Sequence, residues 1–104
     1  MTPEGKVQAY LVERVKALGG DTRKVRWEGR VGAPDILVML PELVTRGPAG
    51  TIPSQRFLVE VKAPGQKPRS SQLREHKALR RYGWRVEVVD SFERVDEVLN
   101  VRKP

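Results

Sequence analysis

The 104-residue sequence has no cysteine and a single histidine, His76. A disulfide framework, a thiolate zinc site and an all-histidine metal site are therefore excluded. Long apolar runs are also missing: the longest, residues 36–41, falls far short of the ~20 residues that cross a bilayer. The opening MTPEGKVQAYL lacks the apolar centre of a signal peptide, and no lipidation motif, internal repeat or low-complexity tract follows. A soluble intracellular protein, in a bacterial or virus-infected host cytoplasm and without a membrane partner, is expected. Acids are scarce relative to bases, 13 Asp and Glu against 20 Lys and Arg, for a net charge of +7. Such an excess attracts polyanions, nucleic acid first. Catalysis, if present, must rest on carboxylates, lysines or hydroxyls.

What the sequence does contain suits one domain over residues 1–104, since 38% apolar residues can build one core. Val7, Leu11, Val15 and Leu18 recur at helical spacing and predict a helix over 4–18, stopped by Gly19-Gly20. Val25 to Glu28 alternates as a short strand, with Val25 and Trp27 on one face. Residues 35–40 and 57–62 read as apolar strands, separated by a Pro/Gly-rich hairpin or excursion over 41–56. Ser70 and Ser71 can cap a helix running to about Tyr82, Arg85 to Val89 is a fourth strand, and Phe92 to Leu99 a short closing helix. The third strand, long helix and fourth strand form a β-α-β unit with parallel strands, whereas the first three strands are antiparallel. An α/β or α+β mixed sheet covered by helices follows.

The charge is unevenly spread. Residues 62–81 hold seven Lys and Arg and one acid, Glu75, a local charge of +6 that leaves +1 for the other 84 residues. On the helical wheel Arg74, Lys77 and Arg81 share one arc, opposite Gln72, His76 and Leu79. This stripe is either a plain solvated face or a surface for phosphates, joined by Lys67 and Arg69 in the loop before it.

Asp35, Glu60 and Lys62 are the residues best suited to chemistry. Glu60 and Lys62, two apart on a strand, project from one face while Val59 and Val61 take the other. One reading is an ion pair on an exposed face. The other has Asp35, at the mouth of a neighbouring strand, bringing a second carboxylate to Glu60, so that a divalent cation resolves their repulsion. Mg²⁺ suits such a site, and Lys62 could then orient water or balance charge on a phosphate. Glu4 lies beside Leu11 and Val15 on the wheel, and either complements the helix dipole or points into this site.

G-x-P-D at Gly32 to Asp35, F-L-V-E-V-K-A-P-G at Phe57 to Gly65, Q-x-x-x-H-x-x-L from Gln72 to Leu79 and G-W-R-V-E-V-V-D from Gly83 to Asp90 together resemble the VRR-NUC nuclease domain. This is a branch of the PD-(D/E)xK superfamily. The resemblance spans nearly the whole chain, including E-x-x-V-x-x-Y-L from Glu4 to Leu11. It implies a restriction-endonuclease-like αβββαβ core, with Asp35 and Glu60 as metal-binding acids, the Val61 carbonyl as a further ligand and Lys62 as the catalytic lysine. It also implies that Glu4 reaches the metal site from its helix and that Gln72 closes the site. For His76, a hydrogen-bonded position at the helix and sheet boundary is favoured over catalysis. The implied activity is a Mg²⁺- or Mn²⁺-dependent, structure-selective DNA endonuclease, acting on four-way (Holliday) junctions or other branched DNA as a homodimer in DNA repair. A non-catalytic DNA-binding module is the competing expectation, and a membrane-surface protein fits poorly because no broad apolar band opposes the basic stripe.

Overall fold

The computed structural model describes residues 1–48 and 50–99; Ala49, within the 41–56 segment, lies outside them. Helix α1 (Pro3–Ala17) starts where the sequence supplies a cap: Thr2 Oγ1 accepts from the Gly5 N–H at 3.0 Å and Pro3 occupies the first turn. Glu4 in the first turn and Arg14 and Lys16 in the last complement the helix dipole. Val7, Leu11 and Val15 are buried, as the spacing predicts, and Gly19 at φ +83° turns the chain away.

The sheet has the order β1 (Asp21–Lys24), β2 (Ile36–Leu40), β5 (Gln55–Val61), β6 (Val86–Val89). β1 pairs antiparallel with β2, β2 antiparallel with β5, and β5 parallel with β6 across helix α2 (Ser70–Arg81). The expected mixed four-stranded sheet and β-α-β unit are present, and α3 (Phe92–Leu99) closes the described chain. Two short strands, β3 (Leu43–Val44) and β4 (Thr51–Ile52), make a separate hairpin within the 41–56 segment.

Two local expectations are corrected. The first strand is the polar DTRK at 21–24, not Val25 to Glu28, which lies in the following connection. Trp27 is partly buried there by packing rather than by pairing, its indole N–H donating to the Pro34 carbonyl at 2.7 Å. The cap of α2 is also different: Arg69 is the N-cap residue, and its N–H donates to Gln72 Oε1 at 2.7 Å. Ser70 and Ser71 therefore sit inside the first turn.

Alternation along the strands divides the interior in two. Ile36, Val38, Leu40, Phe57, Val59 and Val61 face α1 and α3 and form one cluster with Val7, Leu11, Val15, Val95 and Val98. Leu58, Leu79 and Val86 make a smaller cluster under α2, with Trp27 and Leu37 against it. Glu60 and Lys62 follow Leu58 by steps of two and so belong to the α2 side, as strand geometry requires.

Gly32 is where the connection meets α2. At φ +85°, a Cβ there would stand 2.8 Å from the Ser71 carbonyl carbon and oxygen and 2.9 Å from the Gln72 nitrogen. Gly29, in the same connection at φ +72°, has open space around it. Gly29→Ala is expected to cost about 1 kcal/mol through its backbone angle alone, and Gly32→Ala clearly more. Equal losses in urea unfolding would remove close approach as the reason for Gly32.

Candidate active site

The β2–β5 register pairs Ile36 with Val59. One step further along the same ladder sets Asp35 opposite Glu60, on strands that lie about 4.8 Å apart. The chain reaches Asp35 through a connection fastened at three points. Trp27 holds Pro34, Gly32 packs on the start of α2, and Arg30 donates through Nε and Nη2 to Glu75 Oε1 and Oε2 at 3.3 and 3.0 Å.

Glu60 is buried, only 8% exposed. Burial, opposed by Lys62 and reinforced by the negative charges of Asp35 and Glu4, pushes its carboxyl up to about 7. His76, 1% exposed, brings Nε2 to 3.2 Å from Glu60 Oε1. Burial, helped by Arg80 and Lys62, lowers the imidazole pKa, so His76 is held neutral. With Glu60 ionised, a neutral His76 donates its Nε2–H to the carboxylate; with Glu60 protonated, the carboxyl O–H donates to Nε2. Nδ1 is buried without a hydrogen-bond partner among the described residues. An orphaned acceptor is more common in proteins than an orphaned N–H, which favours the tautomer with the proton on Nε2. The boundary position expected for His76 is found, and its partner is the candidate metal-binding acid itself.

Asp35 is half exposed and engages a residue that the sequence did not single out: Lys24 Nζ lies 3.2 Å from Asp35 Oδ2. Lys62 is half-buried and its N–H donates to the Val89 carbonyl at 2.9 Å, which fixes the end of β5 against β6. Glu4 is exposed at the start of α1; its charge weighs on Glu60, but it does not close into a three-acid group. Among the described residues no three His, Cys, Asp or Glu side chains stand together as a cage for an ion. The donor set is thus two carboxylates on adjacent strands, a sparse arrangement that suits a hard cation retaining several waters. Gln72 is half-buried and spends its Oε1 on the cap of α2. Lys67, Arg69, Arg74, Lys77 and Arg81 are exposed, while His76 and Leu79 are buried, so the wheel separates the faces of α2 correctly.

Sequence reasoning missed Lys24, Trp27 and Arg30. The tryptophan carries a signal, an apolar residue in a Gly-rich polar stretch, but its spacing from Val25 mimics strand alternation.

A mixed sheet that sets a Pro-Asp turn against a Glu-x-Lys strand defines the PD-(D/E)xK nuclease class. No family model matches the chain. A curated phage protein, "Putative nuclease p44" of Acyrthosiphon pisum secondary endosymbiont phage 1, is 42% identical over 88 residues, 85% of this chain and 83% of that one. A solved structure described as "VRR_NUC domain" is 46% identical, covers 96% of this chain and 97% of its own, and superimposes with a TM-score of 0.78. The chain belongs to the VRR-NUC nuclease family. No helix among the described residues is long and apolar enough to cross a membrane.

Glu60 gives the metal-free protein a defined pH response. Its folded pKa of about 7 exceeds the ordinary 4.5, so the folded state binds the extra proton and Glu60 weakens the fold as pH rises between those values. His76, kept neutral, has the opposite slope below 6.5. Glu60→Gln removes the Glu60 contribution: in EDTA its stability relative to the parent should climb from pH 4.5 to 7, by up to about 3 kcal/mol, and then level off. Parallel curves for the two proteins, by urea unfolding at each pH, would contradict this account of Glu60.

Proposed function

We propose that this protein is a divalent-metal-dependent endonuclease that hydrolyses phosphodiester bonds in DNA, with Mg²⁺ as cofactor and Mn²⁺ able to substitute. Its preferred substrate is branched DNA, four-way junctions included, and it acts as a homodimer. The observation that carries this reading is the buried Glu60 carboxyl facing Asp35, its pKa raised by burial and by neighbouring acids. A hard cation relieves that strain, and it fits two carboxylates that leave room for waters and phosphate oxygens.

Asp35, Glu60 and the Val61 carbonyl would hold the ion, with Glu4 reaching it from the start of α1 through water. When bound, the ion supplies Lewis-acid polarisation of the scissile phosphate and makes hydroxide available near neutral pH. Lys62 orients the attacking water with its ammonium and offsets charge developing on the phosphorane-like transition state. Gln72 closes the site where α2 begins. Lys67, Arg69, Arg74, Lys77 and Arg81 bind phosphates without reading bases. Two copies about a two-fold axis present one site to each of two opposed strands, which symmetric cutting of a junction requires. The residues act together in one domain spanning residues 1–104.

Incubation with Mg²⁺ or Mn²⁺ on supercoiled plasmid, duplex, flap and four-way junction tests the activity. The parent is expected to cut branched DNA, and Asp35→Asn and Lys62→Ala to lose at least ~100-fold in rate. A folded parent that binds DNA and cuts none of these substrates would instead mark a non-catalytic binding module. Normal cutting by both variants would overturn the site.

The basic face makes a separate prediction. Arg74, Lys77 and Arg81 changed together to Ala should weaken binding to every DNA sequence and reduce the slope of log K against log salt by about 3. An unchanged slope moves the DNA path elsewhere.

A further inference from the structure

The geometry points to Lys24 as an internal stand-in for the active-site cation: it occupies Asp35 while the metal is absent and is handed to a DNA phosphate once the metal arrives. This rests on the reading above, that Asp35 holds a divalent ion.

Among the described residues, Lys24 is the one Lys or Arg in ion-pair contact with any of Glu4, Asp35 and Glu60. Lys62, the residue directly after β5, makes no such contact with them. Among the described residues Glu60 is buried with His76 as its direct partner, whereas Asp35 is half exposed and paired with Lys24. The two acids of the pair are thus placed differently: one is buried against an imidazole, the other is exposed and paired with the Lys24 ammonium.

Lys24 is also free to leave. It is the last residue of β1, an edge strand, and its side chain is 62% exposed. Its amine touches Oδ2, on the carboxylate that a cation at Asp35 would ligate. An ammonium and a divalent cation at one carboxylate would repel each other, and a pair this exposed is weak enough for the amine to yield. The released ammonium is still tethered one residue along from the backbone that Val25 and Asp35 share, where the Val25 N–H donates to the Asp35 carbonyl at 2.8 Å. Within reach of its stem the anion on offer is then the phosphate being held for cutting. Metal loading and DNA grip become coupled: without the ion Lys24 is spent on Asp35, and with it Lys24 faces the substrate.

Calorimetric titration of the DNA-free protein with Mn²⁺ tests the first half. Lys24→Met, having lost the competitor, should bind Mn²⁺ ~3-fold more tightly, in keeping with the modest strength of an exposed ion pair. Lys24→Arg, which keeps the pair, should bind as the parent does. The second half is read from four-way junction binding against salt. In Ca²⁺ the Lys24→Met slope should be smaller than the parent's by about 1, and in EDTA the two slopes should coincide. Mn²⁺ affinity that is unchanged or weaker in Lys24→Met overturns the proposal, as does an equal slope difference in EDTA, which would make Lys24 an ordinary phosphate contact. Absence of Mn²⁺ binding by the parent itself would instead bring down the metal reading, and this proposal with it; Asp35→Asn, expected to abolish the heat, identifies the site that is being filled.

Discussion

The antiparallel register between β2 and β5 is the constraint on which the rest of this molecule depends. It takes two acids that are 25 residues apart in sequence and sets them on neighbouring strands, one at the end of each ladder. A slip of one residue would send Glu60 and Lys62 to the α1 side and bury Leu58 wrongly, because side chains alternate with a period of two. The apolar residues of β5 therefore protect the chemistry as well as the fold: Phe57, Val59 and Val61 can be buried against α1 and α3 only if Glu60 faces α2. Packing energy thereby holds an unfavourably buried carboxyl in position.

Around that pair, the second helix and the β1–β2 connection brace each other. Glu75 on α2 holds Arg30, Gly32 lies on the helix start, and Trp27 grips the peptide before Asp35. His76, one residue from Glu75, carries the bracing to the second acid. The helix whose outer face carries the cations thus has an inner face that braces both carboxylates.

The periodic and local features were legible from the residues alone. Val7, Leu11 and Val15 repeat at helical spacing, Glu60 and Lys62 share a face by simple alternation, and the stripe on α2 separates from Leu79 on a wheel. What escaped depended on pairing over distance or on an element without an apolar pattern. β1 is a polar edge strand with neither face fully buried, so no alternation marked it, while the adjacent Val25 and Trp27 supplied a false one. The Lys24–Asp35 contact spans 11 residues and exists only after β1 and β2 pair. The Gln72 cap was hidden because serines are the usual helix starters and Arg69 is an unusual one.

The two faces of the sheet also differ in how firmly they are held. The α1 and α3 side contains thirteen buried apolar residues in one cluster, and the α2 side only three. Local opening free energies follow the apolar surface that an element buries, so α2 belongs to the part of the protein that exchanges its amide hydrogens first while the sheet and α1 stay closed. The face that carries the cations is then able to shift without unfolding the structure that aligns the acids. Sequence changes confined to α2 and its preceding loop can accordingly be absorbed there, with the global stability left in the keeping of the opposite side.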